Sequence, residues 1–371
     1  MRAFIPAPLP PDPLVDLSGP LERLLERAVL AVGRLDGVSA LLPDRGLYLY
    51  AYVRKEAVLS SQIEGTRSTL SDLLLFELGE APGVPLDDVV EVSSYVAALE
   101  HGLSRMVEGF PLCNRLLREM HEILFTTGRG RGRDRAPGEF RRTQNWIGGT
   151  RPGNAVFVPP PAFEVPAAMG ELEGFIQAAD ASLPELIRAG MVHLQFETIH
   201  PFLDGNGRIG RLLITLMLID AGLLREPLLY LSLYLKENRA RYYDLLNSVR
   251  DTGDWERWLA FFLEGVRESA EGAVATAGRL DLLFQTDRER ILPVGRRAGS
   301  ALRVHNAMKH RPLTTVQQVV EWTGLSTPTA GSTLSLLVEL GIAREITGNK
   351  RNRIFAYDAY LATLSEGTEV S

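Results

Sequence analysis

The sequence predicts an all-α body with one small β-hairpin, followed by a C-terminal winged helix. Three observations predict it. Apolar residues recur at helical spacing through most of residues 21–275. Alternation of strand type is confined in that body to residues 144–157. Residues 300–360 run in the order short helix, tight turn, helix and two short strands, which is the order of a winged helix.

The elements follow in order. Residues 1–18 are proline-rich and are expected to lie extended along the surface. Helical patterns cover 21–42, 46–60 and, after Gly65, 66–77. A Gly/Pro break at APGVP precedes helices over 89–105 and 112–125. The stretch GRGRGRDRAPGEFRR is a loop. Its arginines at 129–135 have no interleaved aromatics, so it reads as a solvated connector rather than an RNA binder. TQNWIG and AVFVP, joined by GTRPGN, make the hairpin Gln144–Phe157, an edge to which an extended target segment can add. Further helices are expected over 167–179, 184–199, 209–221, 231–252 and 255–275. Residues 276–295 read as a helix running into a linker, with Pro293 and Gly295 as breakers. In the C-terminal unit, helices over 315–322 and 327–340 are followed by a hairpin over 341–357.

Composition excludes several classes. The net charge is −6, so the chain is not a general nucleic-acid binder. Cys113 is the one cysteine, so no intrachain disulfide forms, which suits a reducing compartment. The longest apolar stretch, LLITLMLIDAGLL, contains an acid, is too short to span a bilayer and reads as a buried helix. With no signal-peptide pattern at the N-terminus, a soluble cytoplasmic protein is expected.

The chemistry is concentrated in HLQFETIHPFLDGNGRIGRLL. Pro201 disfavours helical backbone at His200, so the incoming helix ends there. Gly205 and Gly207 allow a tight turn with open N–H groups at the start of the next helix, an anion site suited to phosphates. Arg208 and Arg211 lie three apart on that helix and can both face the site. Asp204 offers a hard oxygen for Mg²⁺, and Asn206 can donate to a phosphate oxygen. His200 can take a proton near neutral pH. Singly, each has a plain explanation: a Gly-Asn-Gly turn is usually a connector and an arginine pair a solvated face. Together, base, metal ligand, anion site and cations fall within twelve residues.

The run from His200 to Arg211 resembles the signature of the Fic family of nucleotidyltransferases. PGEFRRTQNWIGG with FVPPP looks like the family's flap, and the resemblance extends over about residues 1–270. It implies a Fic-fold helical bundle and a protein adenylyltransferase that moves AMP from ATP onto a Ser, Thr or Tyr hydroxyl of a protein. In that reading His200 deprotonates the hydroxyl. Asp204 holds Mg²⁺, and the ATP-binding set is Gly205, Asn206, Gly207, Arg208, Ile209, Gly210 and Arg211. Asn238 and Tyr243 would serve the nucleoside. Ser60-Ser-Gln-Ile-Glu64-Gly65 resembles the family's inhibitory motif, and implies that Glu64 pairs with Arg211 in the space the γ-phosphate needs.

The implied domains are an N-terminal helical region over 1–110 carrying the motif 60–65, a catalytic domain over 111–275, a linker helix over 276–299 and a winged helix over 300–371. Partners would be a protein presenting a hydroxyl, including the chain itself, and a second copy in a homodimer. Two alternatives stay open: removal of AMP from a modified protein, and a DNA-binding regulator whose helical body senses nucleotide. The second helix of the C-terminal unit is poor in Lys and Arg, although Arg344, Lys350, Arg351 and Arg353 on the wing suit phosphates. His193, two turns before His200, is too far for a shared metal and reads as packing, as does His121.

Overall fold

A computed structural model describes residues 3–41, 45–80, 83–126, 135–178, 183–349 and 351–369. The ends of the helices expected at 42 and 179, most of the 129–135 loop and Lys350 lie outside them. The helices are α1 (Pro20–Leu41), α2 (Arg45–Ile63), α3 (Leu70–Glu77), α4 (Leu86–Val107), α5 (Asn114–Thr126), α6 (Val165–Gln177), α7 (Glu185–Ile199) and α8 (Asn206–Asp220). They continue as α9 (Ser232–Glu237), α10 (Arg239–Thr252), α11 (Trp255–Ile291), α12 (Ala298–His310), α13 (Val316–Thr323), α14 (Thr327–Glu339) and α15 (Asp358–Ser365).

Two helices form the centre. Every residue of α7 from Leu186 to Ile199 is buried, and α8 is buried almost as completely. A helix with no solvent face belongs in the middle of a core. The apolar run of α8 is thus the buried helix its composition predicts. Outside this pair, α11 runs 37 residues, about 55 Å, against α1, α7, α9, α10, α12 and α15. Burying Trp258, Phe261 and Phe262 ties it to α7, where the Trp258 indole donates to Gly190 O at 2.9 Å.

Several expectations shift. The helix expected over 231–252 is two helices, because at Asn238 (φ −108°, ψ 29°) the backbone leaves the helical region. The junction at residue 275 falls inside α11, which stays helical to Ile291 and stops where Pro293 and Gly295 (φ 71°) follow. The first helix after Gly65 starts only at Leu70, capped by a reciprocal Thr69–Asp72 pair. Residues 144–157 do not form an extended hairpin. A single antiparallel bridge, Ile147 with Phe157, closes the loop, because Gly148 and Gly149 both take positive φ directly after Ile147.

Residues 298–369 follow the expected order, with three additions, α12, β1 and α15. β1 (Leu313–Thr315) pairs with β3 (Ile354–Ala356), which also pairs with β2 (Arg344–Glu345). The sheet order is β1-β3-β2. Residues 367–369 return to the body. Gln62 donates to Thr368 O at 2.8 Å, and the Lys236 ammonium donates to Gln62 Oε1, Gly367 O and Glu369 O. No helix among the described residues is long and apolar enough to cross a membrane.

Candidate active site

The loop from His200 to Gly205 links the two central helices, and its shape is set by what must be satisfied on burial. His200 caps α7 in the left-handed conformation (φ 50°, ψ 61°), its N–H still bonded to Phe196 O at 2.9 Å. Asn206 closes the turn. Its side-chain oxygen accepts from Phe202 N at 2.8 Å and its amide donates to Phe202 O at 2.9 Å. At 2% exposure that amide is fully committed, so Asn206 offers a phosphate only its backbone. His121 stacks flat on Phe202 with centroids 3.8 Å apart. Its Nδ1 accepts from Gly138 N, which leaves Nε2–H to donate to Asp204 O at 3.0 Å. It is a packing residue, as expected, but one that fixes the motif loop.

Arg141 clamps the same loop from the flap. Its guanidinium donates to the carbonyls of His200 (2.9 Å), Pro160 (2.5 Å), Thr143 and Ile199, and the side chain is 2% exposed. Replacing Arg141 with Met leaves these carbonyls without a donor. We expect a loss of about 2–4 kcal/mol, read as a melting temperature several degrees lower. An unchanged melting curve would contradict this role.

Gly205 (φ 78°) precedes α8, and no side chain caps that helix. The N–H of Gly205 is taken by Asp204 Oδ1 at 2.6 Å, and that of Ile209 by Gly205 O at 3.0 Å. The first-turn N–H groups of Asn206, Gly207 and Arg208 have no helical partner, and the helix dipole adds positive potential there. Into this position comes the carboxylate of Glu64. A Cβ placed on Gly207 would collide with Glu64 Oε1. The acid therefore sits on the bare helix start, where only glycine leaves room.

Glu64 stands one residue past the end of α2, and Gly65 (φ 105°) turns the chain away. Arg211 donates to Glu64 Oε1 at 2.7 Å, to Ser60 Oγ at 2.8 Å and to Ser60 O at 2.9 Å. Burial opposes the Arg211 charge, but Glu64, Tyr242 and Glu197 outweigh it and raise its pKa. The residues of the 60–65 motif and Arg211 are thus brought together across 147 positions of sequence.

Glu64 and Arg211 line a cavity of about 490 Å³ with His200, Gly207, Tyr243, Arg250 and the flap residues Trp146 and Val156. Burial, and then the Arg250 charge, lower the pKa of His200 to about 4, so its ring is neutral at pH 7. Arg250 reaches in from α10, donating to Thr198 Oγ1 and Glu197 O and lying 3.8 Å from the Phe157 ring centroid. A larger cavity of about 900 Å³, beside α12 and α13, contains no residue of the motif.

Other expected site residues are placed differently. Arg208 turns away from the cavity to Glu91 at 2.8 Å. Ile209 is buried in the core, and Gly210 packs on α7, its carbonyl meeting His193 Nδ1 at 3.1 Å. His193, also bonded to the Tyr242 hydroxyl at 2.9 Å, is the packing residue its position suggests. Asn238 donates to Tyr234 O and does not line the cavity, whereas Arg239, Tyr242 and Asn247 do. Asp204 is half-exposed, ion-paired with Arg135 and 3.8 Å from Arg208. No cluster of three metal-ligating side chains occurs among the described residues. One carboxylate still fits Mg²⁺, which commonly takes its remaining ligands from water and substrate phosphates.

Fold and site together define a helical protein whose buried helix pair presents a histidine beside a helix start occupied by the Glu64 carboxylate. Residues 22–104 match the model of the Fic/DOC family N-terminal region, and residues 111–218 match that of the Fic/DOC family. The two matches span just over half of the chain, which belongs to the Fic/DOC family. Relatives include the protein adenylyltransferase Fic of Culex quinquefasciatus, 36% identical over 128 residues (34% of this chain, 23% of the relative). That of Drosophila melanogaster is 26% identical over 266 residues, 68% of this chain and 50% of the relative. The chain thus spans half or less of the length of these curated relatives. A Fic family protein from Desulfovibrio desulfuricans G20 shares the fold over 92% of this chain and 96% of its own, with a TM-score of 0.58 and 22% identity. C. elegans Fic-1 (residues 134–508) does so over 70% and 74%, with a TM-score of 0.51 and 19% identity.

Proposed function

We propose that the protein transfers AMP from ATP to a hydroxyl side chain of a protein and that Glu64 restrains the reaction. The observation that carries this reading is the seat of the Glu64 carboxylate on the bare N-terminus of α8, paired with Arg211. An acid there stands in for a phosphate. The relatives' name, protein adenylyltransferase, supplies the nucleotide and the acceptor class.

In this reading the oxygen of the target hydroxyl attacks the α-phosphate, the bond to the β-phosphate breaks, and pyrophosphate leaves with AMP on the target. His200 takes the hydroxyl proton and passes it to solvent. The open N–H groups at the start of α8 and the Arg211 guanidinium hold the phosphates. Such transfers depend mainly on positioning and charge neutralisation. Asp204 would give up Arg135 to hold Mg²⁺, which neutralises phosphate charge. Tyr243 lines the cavity where the nucleoside is to lie. With Glu64 in place, the terminal phosphate has neither Arg211 nor room at Gly207. Residues 1–110, 111–275, 276–299 and 300–371 are proposed to act as regulatory region, catalytic domain, linker and winged helix. α14 contains no Lys or Arg, which does not favour DNA as the partner of the last unit.

Mass spectrometry of the Glu64→Gly variant after incubation with ATP and Mg²⁺, alone and with cell extract, tests the chemistry. AMP adducts on Ser, Thr or Tyr are expected, and none with Glu64→Gly/His200→Ala. Their absence from every sample would sink the reading.

The pH profile follows from the depressed His200 pKa. Glu64 raises that pKa, so removing it keeps His200 neutral to still lower pH. In excess Mg²⁺, kcat/KM of the Glu64→Gly variant should stay within about three-fold between pH 7 and pH 5.5. An unperturbed histidine would lose about ten-fold over that range. A ten-fold loss by pH 5.5 would contradict the buried, neutral base.

A further inference from the structure

Glu197 lies one turn before His200 on α7. It is 6% exposed, and its Oε1 has no hydrogen-bond partner. His200 Nδ1 is buried and makes no hydrogen bond of normal geometry, although the backbone carbonyl of Glu197 also lies near the ring, and it stands 3.9 Å from Glu197 Oε2. A buried carboxyl without a hydrogen bond costs stability, so its presence needs a reason. The surroundings are shaped for it. A Cβ at Gly210 would lie 2.9 Å from Glu197 Oε1, so the glycine makes room for the acid. Arg211, Glu64 and Arg250 are the charges that face it.

We infer that Glu197 is a positioning residue for His200: its carboxyl takes the Nδ1–H of the imidazole and leaves Nε2 unprotonated toward the cavity. The gap is about 1 Å longer than a hydrogen bond and too short for a bridging water. A small rotation of either side chain closes it, and catalytic hydrogen bonds are often long before substrate binds. The principle is that of any histidine base whose tautomer is set by the group on its other nitrogen. No proton passes to Glu197, which accepts one hydrogen bond and, in its ionised form, favours the imidazolium formed when Nε2 takes the target's proton; burial raises its pKa to about 7. The link to rate rests on the AMP-transfer reading, but the tautomer does not.

The test is the tautomer of His200 at pH 7, read from its side-chain ¹⁵N shifts in ¹⁵N-histidine-labelled protein and assigned by the signal missing from His200→Ala. The parent should hold the Nδ1–H form, Glu197→Gln should keep it through the amide oxygen, and Glu197→Ala should shift to the Nε2–H form that free imidazole favours. An Nε2–H signal in the parent overturns the inference whether or not the Ala variant folds, and so does an unchanged Nδ1–H signal in Glu197→Ala. In the Glu64→Gly background, Glu197→Ala should lower kcat ten- to a hundred-fold with KM for ATP within three-fold, and Glu197→Gln should restore kcat to within three-fold. Equal losses in both variants, with raised KM and lower melting temperatures, indicate a merely structural acid and overturn the inference. If Glu64→Gly itself transfers no AMP, the proposed function fails while the ¹⁵N spectra still decide the role of Glu197.

Discussion

Replacing Glu64 with glycine should raise AMP transfer about a hundred-fold, with little loss of stability. The size follows from geometry rather than from the strength of one ion pair. Glu64 is about one-third exposed, and breaking its contact with Arg211 costs about 1–2 kcal/mol. Arg211 keeps both bonds to Ser60, so it stays in position. What changes is access. The guanidinium and the bare start of α8 become free for the terminal phosphate, and the atoms above Gly207 are removed. Misplacement of a reacting group by about 1 Å can cost about a hundred-fold in rate, and restoring alignment returns a factor of that order. Glu64→Gln separates charge from bulk. It keeps the side chain at Gly207 and should release only part of the activity. Initial rates at saturating ATP, with melting curves for each variant, check both statements. Equal rates for wild type and Glu64→Gly would remove the brake from the account.

Replacing His200 with alanine in the Glu64→Gly background should lower the rate by about a hundred- to ten-thousand-fold, the range that a positioned general base contributes. The backbone at 200 is left-handed, and alanine tolerates that conformation poorly. The wild-type histidine carries the same strain, so the variant is expected to fold. The loop is also held by Arg141 on its carbonyls and by the Asn206 amide. ATP binding should change by less than about three-fold, because the phosphate contacts come from α8 and Arg211. Equilibrium binding of labelled ATP alongside the rate separates the two effects. A tenfold loss of binding would make His200 a ligand contact rather than a base.

The parts of this site that are local in the chain were readable from the sequence. The end of α7 at His200 follows from Pro201, and the open, uncapped start of α8 follows from two glycines around one asparagine. Even there, the role of Asn206 differs. A buried four-residue turn leaves Phe202 with one donor and one acceptor to satisfy, and an amide supplies both partners. The pairing of Glu64 with Arg211 came from resemblance alone, because spacing does not announce a contact across 147 residues. Arg141, Arg250 and Glu91 were missed for the same reason. Each acts through tertiary approach, and an arginine or glutamate in a loop or on a helical pattern reads as solvated until the fold buries it. Glu197 sits within the segment that carries the chemistry, but its orphaned state appears only when Gly210 and His200 close around it. In the body of the fold, helix existence was legible from periodicity, whereas the break at Asn238 and the reduction of the hairpin to one bridge depend on backbone angles at single residues.

The central claim is that the seat of Glu64 at α8 is the seat of a phosphate. It is tested most directly by incubating wild type, Glu64→Gly and Glu64→Gly/His200→Ala with Mg²⁺ and ATP labelled at either the α- or the γ-phosphate. Each is run with and without cell extract on a denaturing gel. The account predicts protein-bound label from α- but not γ-labelled ATP, faint in wild type, strong in Glu64→Gly and absent in the double variant. Label from γ-labelled ATP, or equal α-label in wild type and Glu64→Gly, would contradict it.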